Sequence, residues 1–354
     1  MQEKNNYYNT LNYSEARGKF LMIDVRSPSE YEDDTITGAV NIPLLNDEER
    51  KEVGTTYMHV GKNEAKRLGV KLISPKLPDI MDQVLELKSG HDPLAAFCAR
   101  GGYRSSFFVS AFSSVGIPIC QIEGGYKSYR REVMDALPQL NDRATYIVIS
   151  GNTGVGKTEI LHSLKSHGCS VLDLEGAANH RGSLLGSIGL GKCNSQKKFE
   201  TKIYNQLMDA GDKYVFVEAE SQKIGSVSIP KFISDKMKQG IQIYIEADMQ
   251  SRVNNLKKDY ILNDSWKSES IRAMDMLGRY ISKDKIEAMK KEISKGNFDF
   301  VAAALMEDYY DPMYGFKSGK LDYSAKFTSG INPEKVSEEI ISWYEEKIKK
   351  ADTK

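Results

Sequence analysis

The octapeptide Gly151-Asn152-Thr153-Gly154-Val155-Gly156-Lys157-Thr158 follows directly on the apolar run TYIVIS (145–150). It is a full Walker A motif, G-x-x-x-x-G-K-T, and no other feature of the chain constrains the fold as strongly. Backbone N–H groups of such a loop converge on phosphate, Lys157 neutralises it, and the Thr158 hydroxyl is placed to meet Mg²⁺. The motif works between a strand and a helix of a parallel sheet, which predicts a strand over 145–150 and a helix over about 156–167. SVLDLE (170–175), KYVFVEAE (213–220) and IQIYIEAD (241–248) read as further strands. Beyond residue 249 the pattern turns helical and charged. Glu218, ending VFVE, is the candidate acidic partner of the loop, with Asp173 and Glu175 competing for that role. The motif implies phosphate binding rather than hydrolysis, and a pyrophosphate on an organic substrate fits the same cradle.

With 354 residues the chain suits two domains, each able to bury its own core. The polar cluster LPQLNDRAT (137–145), with Pro138, predicts the boundary, giving domains over 1–138 and 139–354. Lys+Arg and Asp+Glu both number 49, so a polyanion must be met by a local patch rather than by bulk charge. No apolar run approaches the roughly 18–20 residues that span a bilayer. The N-terminal stretch MQEKNNYYNTLNYSEARGKF lacks an apolar signal core, so a cytoplasmic location is expected. Cys98, Cys120, Cys169 and Cys193 are too scattered for a disulfide framework or a metal site, which fits a reducing compartment with free thiols. Composition does not define the oligomeric state.

The first domain also reads as alternating strands and helices, with apolar runs at FLMIDVRS (20–27), 94–97 and IPICQIEGG (117–125) and a helix over 104–115. Cys98 stands where a strand ends, followed by Ala99-Arg100-Gly101-Gly102-Tyr103-Arg104-Ser105. Loop N–H groups and the helix N-terminus favour an anion there, Gly101 and Gly102 permit a tight curl, and Arg100 and Arg104 add positive charge. Each effect favours thiolate, the nucleophilic form of cysteine. The Cys-x5-Arg-Ser spacing is shared by cysteine phosphatases and sulfur carriers, although Phe97 stands where a phosphatase has histidine.

DVRSPSEYEDDTITGAVNIPL (24–44) resembles the rhodanese motif: an Asp-x-Arg strand end, carrying Arg26, then a His-or-Thr-x-x-Gly-Ala-x-Asn-Ile-Pro segment, here without the histidine. Many rhodaneses have a loop one residue shorter, and the longer one here is expected to accommodate a tetrahedral oxyanion such as a chalcogen-substituted phosphate. A rhodanese followed by a P-loop domain resembles the tRNA 2-selenouridine synthase family. The likeness continues through VGTTYMHVGKNEAKRLGVKLI (53–73), FCARGGYRSS, EGGYKSYRREV (123–133), LDLEGAANHRGS (172–183), VEAESQKIGSVSIP (217–230) and YYDPMYG (309–315).

The resemblance implies an α/β architecture: an N-terminal rhodanese-like parallel sheet domain, then a P-loop NTPase-like α/β domain with a helical C-terminal part. It implies a transferase acting on the wobble 2-thiouridine in the anticodon arm of tRNA. The thio group is first alkylated by geranyl diphosphate, then exchanged for selenium from selenophosphate with Cys98 handling the chalcogen; no tightly bound cofactor and no membrane partner are expected. The loop Gly151 to Thr158 is assigned to the diphosphate, and His180 and Arg181 are candidate contacts to diphosphate or tRNA. The alternative is a rhodanese-type sulfurtransferase or persulfide carrier fused to a nucleotide-binding P-loop domain.

Overall fold

The computed structural model describes residues 8–183, 186–261, 266–312, 322–330 and 332–350. Residues 313–315 of the YYDPMYG stretch and the last four of the C-terminal KIKKADTK lie outside these. Two units divide between Asp135 and Ala136.

In the first unit, β1 (Thr10–Leu11), β2 (Leu21–Asp24), β3 (Val40–Asn41), β4 (Leu94–Phe97) and β5 (Ile119–Ile122) form a parallel sheet in the order β1-β5-β4-β2-β3. All four β4 residues are buried, as a central parallel strand covered on both faces requires. Ile23, Val84, Ala96 and Phe108 belong to the core around it. Helices Asp47–His59, Lys62–Ile73 and Leu77–Gly90 connect β3 to β4. The carboxyl end of β4 delivers Cys98 to the sheet edge where α/β proteins gather functional groups.

The second unit repeats the logic with β6 (Thr145–Gly151), β7 (Val171–Leu172) and β8 (Tyr214–Glu218), then a short antiparallel hairpin of β9 (Lys223–Ile224) and β10 (Val227–Ser228), and finally β11 (Ile241–Glu246) and β12 (Ala325–Thr328). Its parallel sheet runs β12-β11-β6-β8-β7, with the P-loop strand β6 at the centre. Helices after residue 249 build a separate apolar cluster that includes Tyr260, Trp266, Leu277, Ile293 and Leu305. Among the described residues, no helix is long and apolar enough to cross a membrane.

Two local expectations give way to the structure. SVLDLE holds only a two-residue strand, because Asp173 leaves the sheet to cap helix Leu174–Ala178, accepting the Gly176 N–H at 2.7 Å. Helix Gly125–Arg143 runs through the Pro138 cluster, where the sequence places the domain boundary. Its polar residue Asn141 is buried, accepting from the Tyr146 hydroxyl at 3.0 Å and donating to the Phe232 carbonyl at 3.4 Å. Finally, AKFT (325–328), within the stretch read as helical, is the edge strand β12, whose alternating exposure carries little apolar signal.

Candidate active site

Cys98 lies 4% exposed at the foot of helix Tyr103–Ser114. The Gly102 N–H donates to its Sγ at 3.3 Å and the Ser105 hydroxyl at 3.2 Å. Gln121 on β5 orients that hydroxyl, its Nε2 donating to Ser105 Oγ at 2.7 Å. Burial alone would push the thiol pKa up. The Ser105 hydroxyl, backbone N–H groups at Arg100 and Ser105, and the Arg104 charge together bring it below the ordinary thiol value. By contrast, burial raises Cys120 and Cys169. Of these three cysteines only Cys98, directly after β4, is held towards the thiolate.

The loop is seated on a second glycine pair. Gly101 is left-handed at φ +62°, and the Tyr126 and Lys127 N–H groups cap the Cys98 and Ala99 carbonyls at 2.9 and 3.0 Å. A Cβ on Gly125, at φ +57°, would stand 2.1 Å from the Cys98 carbonyl oxygen. EGGYKSYRREV therefore supports the cysteine loop, and only glycine allows this approach.

The arginines divide their work. Arg104 forms a bidentate pair with Glu30, at 2.6 and 3.1 Å, while remaining close enough to favour the thiolate. Arg100 is exposed beside the loop, as is Tyr103, with Lys66 Nζ 4.6 Å from its ring centroid. Arg26 is buried and occupied: it grips Asp24 with bonds of 2.6 to 3.0 Å, donates to the Asp34 carbonyl at 2.6 Å and lies 4.0 Å over the Tyr126 ring. The structure thus places Arg26 as a brace behind Tyr126, whose own N–H holds the cysteine loop.

In the second unit the phosphate loop is tied down from outside. Arg252 Nε donates to the Thr153 carbonyl at 2.8 Å while its guanidinium holds Asp311 bidentately at 2.6 and 2.8 Å. Asn255 Nδ2 donates to the Gly154 carbonyl at 3.0 Å. Gly154 and Gly156 are both left-handed, at φ +83°. Carbonyls fixed on the outer side let a loop of this kind present N–H groups to its concavity. Lys157 Nζ donates to the Gly151 carbonyl at 3.1 Å and the Asn152 carbonyl at 3.4 Å, so the ammonium spans the loop. Val155 is buried beneath it.

Three carboxylates gather beside this ammonium. The Thr158 hydroxyl donates to Glu175 Oε2 at 3.3 Å. Oxygens of Glu175, Glu218 and Glu220 lie within 4.8 Å of one another. Burial and then mutual repulsion raise all three carboxyl pKa values, that of Glu220 to about 7, against the lowering charge of Lys157. Asp173 stands apart in a pair with His162 at 3.3 Å; that pair and its capping role outweigh burial and lower its pKa.

An apolar pocket opens against Thr153 and is lined by Leu256, Trp266, Phe298, Leu305 and Tyr310 among others. Its wall residue Tyr260 binds the Ser183 hydroxyl at 3.0 Å, and Arg181 lies 5.1 Å from the Tyr260 ring centroid while donating to the Ile188 carbonyl at 2.7 Å. His180 has a buried Nδ1 with no hydrogen-bond partner, and burial lowers its pKa. Arg181 is thus committed to the pocket wall.

Sequence reasoning did not single out Gln121, Glu30, Glu220, Arg252 or Asp311 as site residues. Only two left a trace: Gln121 is a polar residue inside an apolar strand, and Glu220 follows Glu218 at the two-residue spacing of a strand face.

A family model for the tRNA 2-selenouridine synthase AAA domain matches residues 144–299, and one for the rhodanese-like domain matches residues 10–132. The tRNA 2-selenouridine synthase of Pseudomonas fluorescens (strain Pf0-1) is 30% identical over 339 residues, covering 86% of this chain and 91% of that protein. The synthase of Hydrogenovibrio crunogenus (strain DSM 25203 / XCL-2) is 31% identical over 339 residues, covering 86% and 92%. Among solved structures, the N-terminal domain of a Clostridium difficile 630 protein is 42% identical, covering 36% of this chain and 99% of that chain at a TM-score of 0.35.

Proposed function

This chain belongs to the tRNA 2-selenouridine synthase family, and from that premise we propose that it converts the wobble 2-thiouridine of tRNA to 2-selenouridine in two steps, prenylation and then chalcogen exchange. In the first, the thiocarbonyl sulfur attacks the first carbon of geranyl diphosphate, a carbon–sulfur bond forms, diphosphate leaves, and the base gives up its N3 proton to solvent. The loop Gly151 to Thr158 holds the leaving diphosphate, and Lys157 stabilises its developing charge. In the second, selenium from selenophosphate replaces the geranylated sulfur at carbon 2, geranyl thiolate departs, and water takes the phosphoryl group. The exchange is redox-neutral. Cys98, held as a thiolate, is assigned to this step as the nucleophile that displaces geranyl thiolate from carbon 2 and is itself displaced by the selenium.

The apolar pocket against Thr153 carries the prenyl part of the reading. A diphosphate on the loop would have apolar side chains beside it rather than polar ones, and the cavity of about 40 Å³ must widen for a geranyl chain to enter. The Cys98 nest supports the exchange step, because its hydrogen-bond donors converge on sulfur. Metal chemistry, where a divalent ion is bound, would add charge neutralisation at the leaving diphosphate.

Incubation with 2-thiouridine tRNA, geranyl diphosphate and selenophosphate, followed by nucleoside mass spectrometry, tests the reading. Geranylated and then selenated nucleosides are expected. Release of sulfide from thiosulfate without either product would favour a sulfurtransferase instead.

A further inference from the structure

We propose that Glu175, Glu218 and Glu220 form a divalent-cation site that fills before any phosphate ligand arrives. The side chains come from three positions: the short helix Leu174–Ala178, the last residue of β8, and two residues beyond it. Their oxygens already lie within 4.8 Å of one another. Glu218 is 1% exposed, and its Oε1 has no hydrogen-bond partner. A carboxylate oxygen at that depth is costly unless something pairs with it.

Charge and space point the same way. Lys157 faces all three carboxylates, and once all three are ionised, as metal ligands must be, their three negative charges exceed its one positive by a formal two. A divalent ion cancels that excess. Gly182, left-handed at φ +60°, borders the gap: a Cβ there would stand 2.6 Å from Glu175 Oε1 and 2.7 Å from Glu220 Oε2. Glycine therefore keeps open the space between two of the ligands. An all-oxygen donor set selects a hard ion, Mg²⁺ or Mn²⁺, over zinc or copper.

P-loop enzymes usually hold their metal through the loop hydroxyl, one acidic residue and the phosphate oxygens. Here the extra carboxylates stand in for the phosphates, and Thr158, bonded to Glu175, is adjacent. Metal binding thus becomes a property of the empty protein. This goes beyond prenyl transfer and holds whether or not that reaction occurs.

The test uses the full chain, stripped with chelator, dialysed, and titrated with Mn²⁺ in phosphate-free buffer while free Mn²⁺ is followed by electron paramagnetic resonance. One saturable site, displaced by Mg²⁺, is expected. Glu220→Gln and Glu175→Gln should each weaken it by at least about tenfold, with circular dichroism confirming that both fold. Both positions are only partly buried, so they decide the matter even if Glu218→Gln fails to fold. No saturable Mn²⁺ site in the wild-type chain, or unchanged affinity in both folded variants, overturns the proposal. No tRNA or prenyl diphosphate is present, so loss of this site and loss of geranylation are read separately.

Discussion

The cysteine loop and the phosphate loop are both strand-to-helix turns built on glycine, yet they stand in opposite electrostatic conditions. Around Cys98 the charges are already matched: Arg104 with Glu30, Arg26 with Asp24, and the thiol with Gly102 and Ser105. Around Lys157 they are not. Three carboxylates share one ammonium, which rests on the loop's own carbonyls. A nucleophile must be ready before its substrate arrives, so its surroundings are complete in the protein alone. A site for a highly charged ligand is completed by what binds, and its protein groups remain mutually strained until then.

The sharpest way to break this comparison is to remove the nucleophile. Cys98→Ala should cut selenium insertion on the order of 10³-fold or more while geranylated nucleoside still accumulates, as mass spectrometry of the tRNA digest would reveal. Lys157→Ala should do the reverse, slowing geranylation by about 10²-fold and leaving selenation of a pre-geranylated tRNA intact. Equal loss of both steps in both variants would mean that the two loops do not act separately.

Gly125→Ala probes the seat of the cysteine loop rather than its chemistry. The new Cβ would collide with the Cys98 carbonyl at a left-handed position, so the variant should lose about 2–4 kcal/mol on thermal or urea unfolding. The same change at Gly102, where a Cβ meets nothing within 4 Å, should cost far less.

The smallest effect concerns the thiol's titration. Because its pKa lies below the ordinary thiol value, Cys98 should keep its alkylation rate at a lower pH than Cys120 or Cys169, whose values are raised. Alkylation rises with pH and levels off once the thiolate is fully formed. Ser105→Ala removes a donor to the thiolate, so the midpoint should move up by about one pH unit, read from the pH dependence of iodoacetamide labelling. An unmoved midpoint would assign the thiolate to the backbone and Arg104 alone.

Both loops were legible in the sequence because their function depends on local backbone shape, and local shape is written in adjacent residues. Glycines at fixed offsets, a cysteine after an apolar run and a lysine after a glycine are all short-range patterns. Arg26 shows the limit. The rhodanese-like motif names Arg26, but only the structure shows the residue bracing Tyr126 from behind. Its partner Asp24 lies two residues away, but the direction of the pair depends on Asp34, Thr35 and the later helix.

By itself, then, the chain's sequence determined two parallel α/β units, the strand ends where chemistry gathers, and the two glycine loops with their cysteine and lysine. Only the tertiary structure decided what surrounds them: Gln121 behind Ser105, Glu30 on Arg104, Asp311 on Arg252, and Glu175 with Glu220 beside Glu218. Apart from Glu220, these partners are separated by many residues along the chain, and no spacing rule links them. Their meeting follows from sheet order and helix packing, which bring distant segments to one edge. The loops are local; the charges that tune them are not.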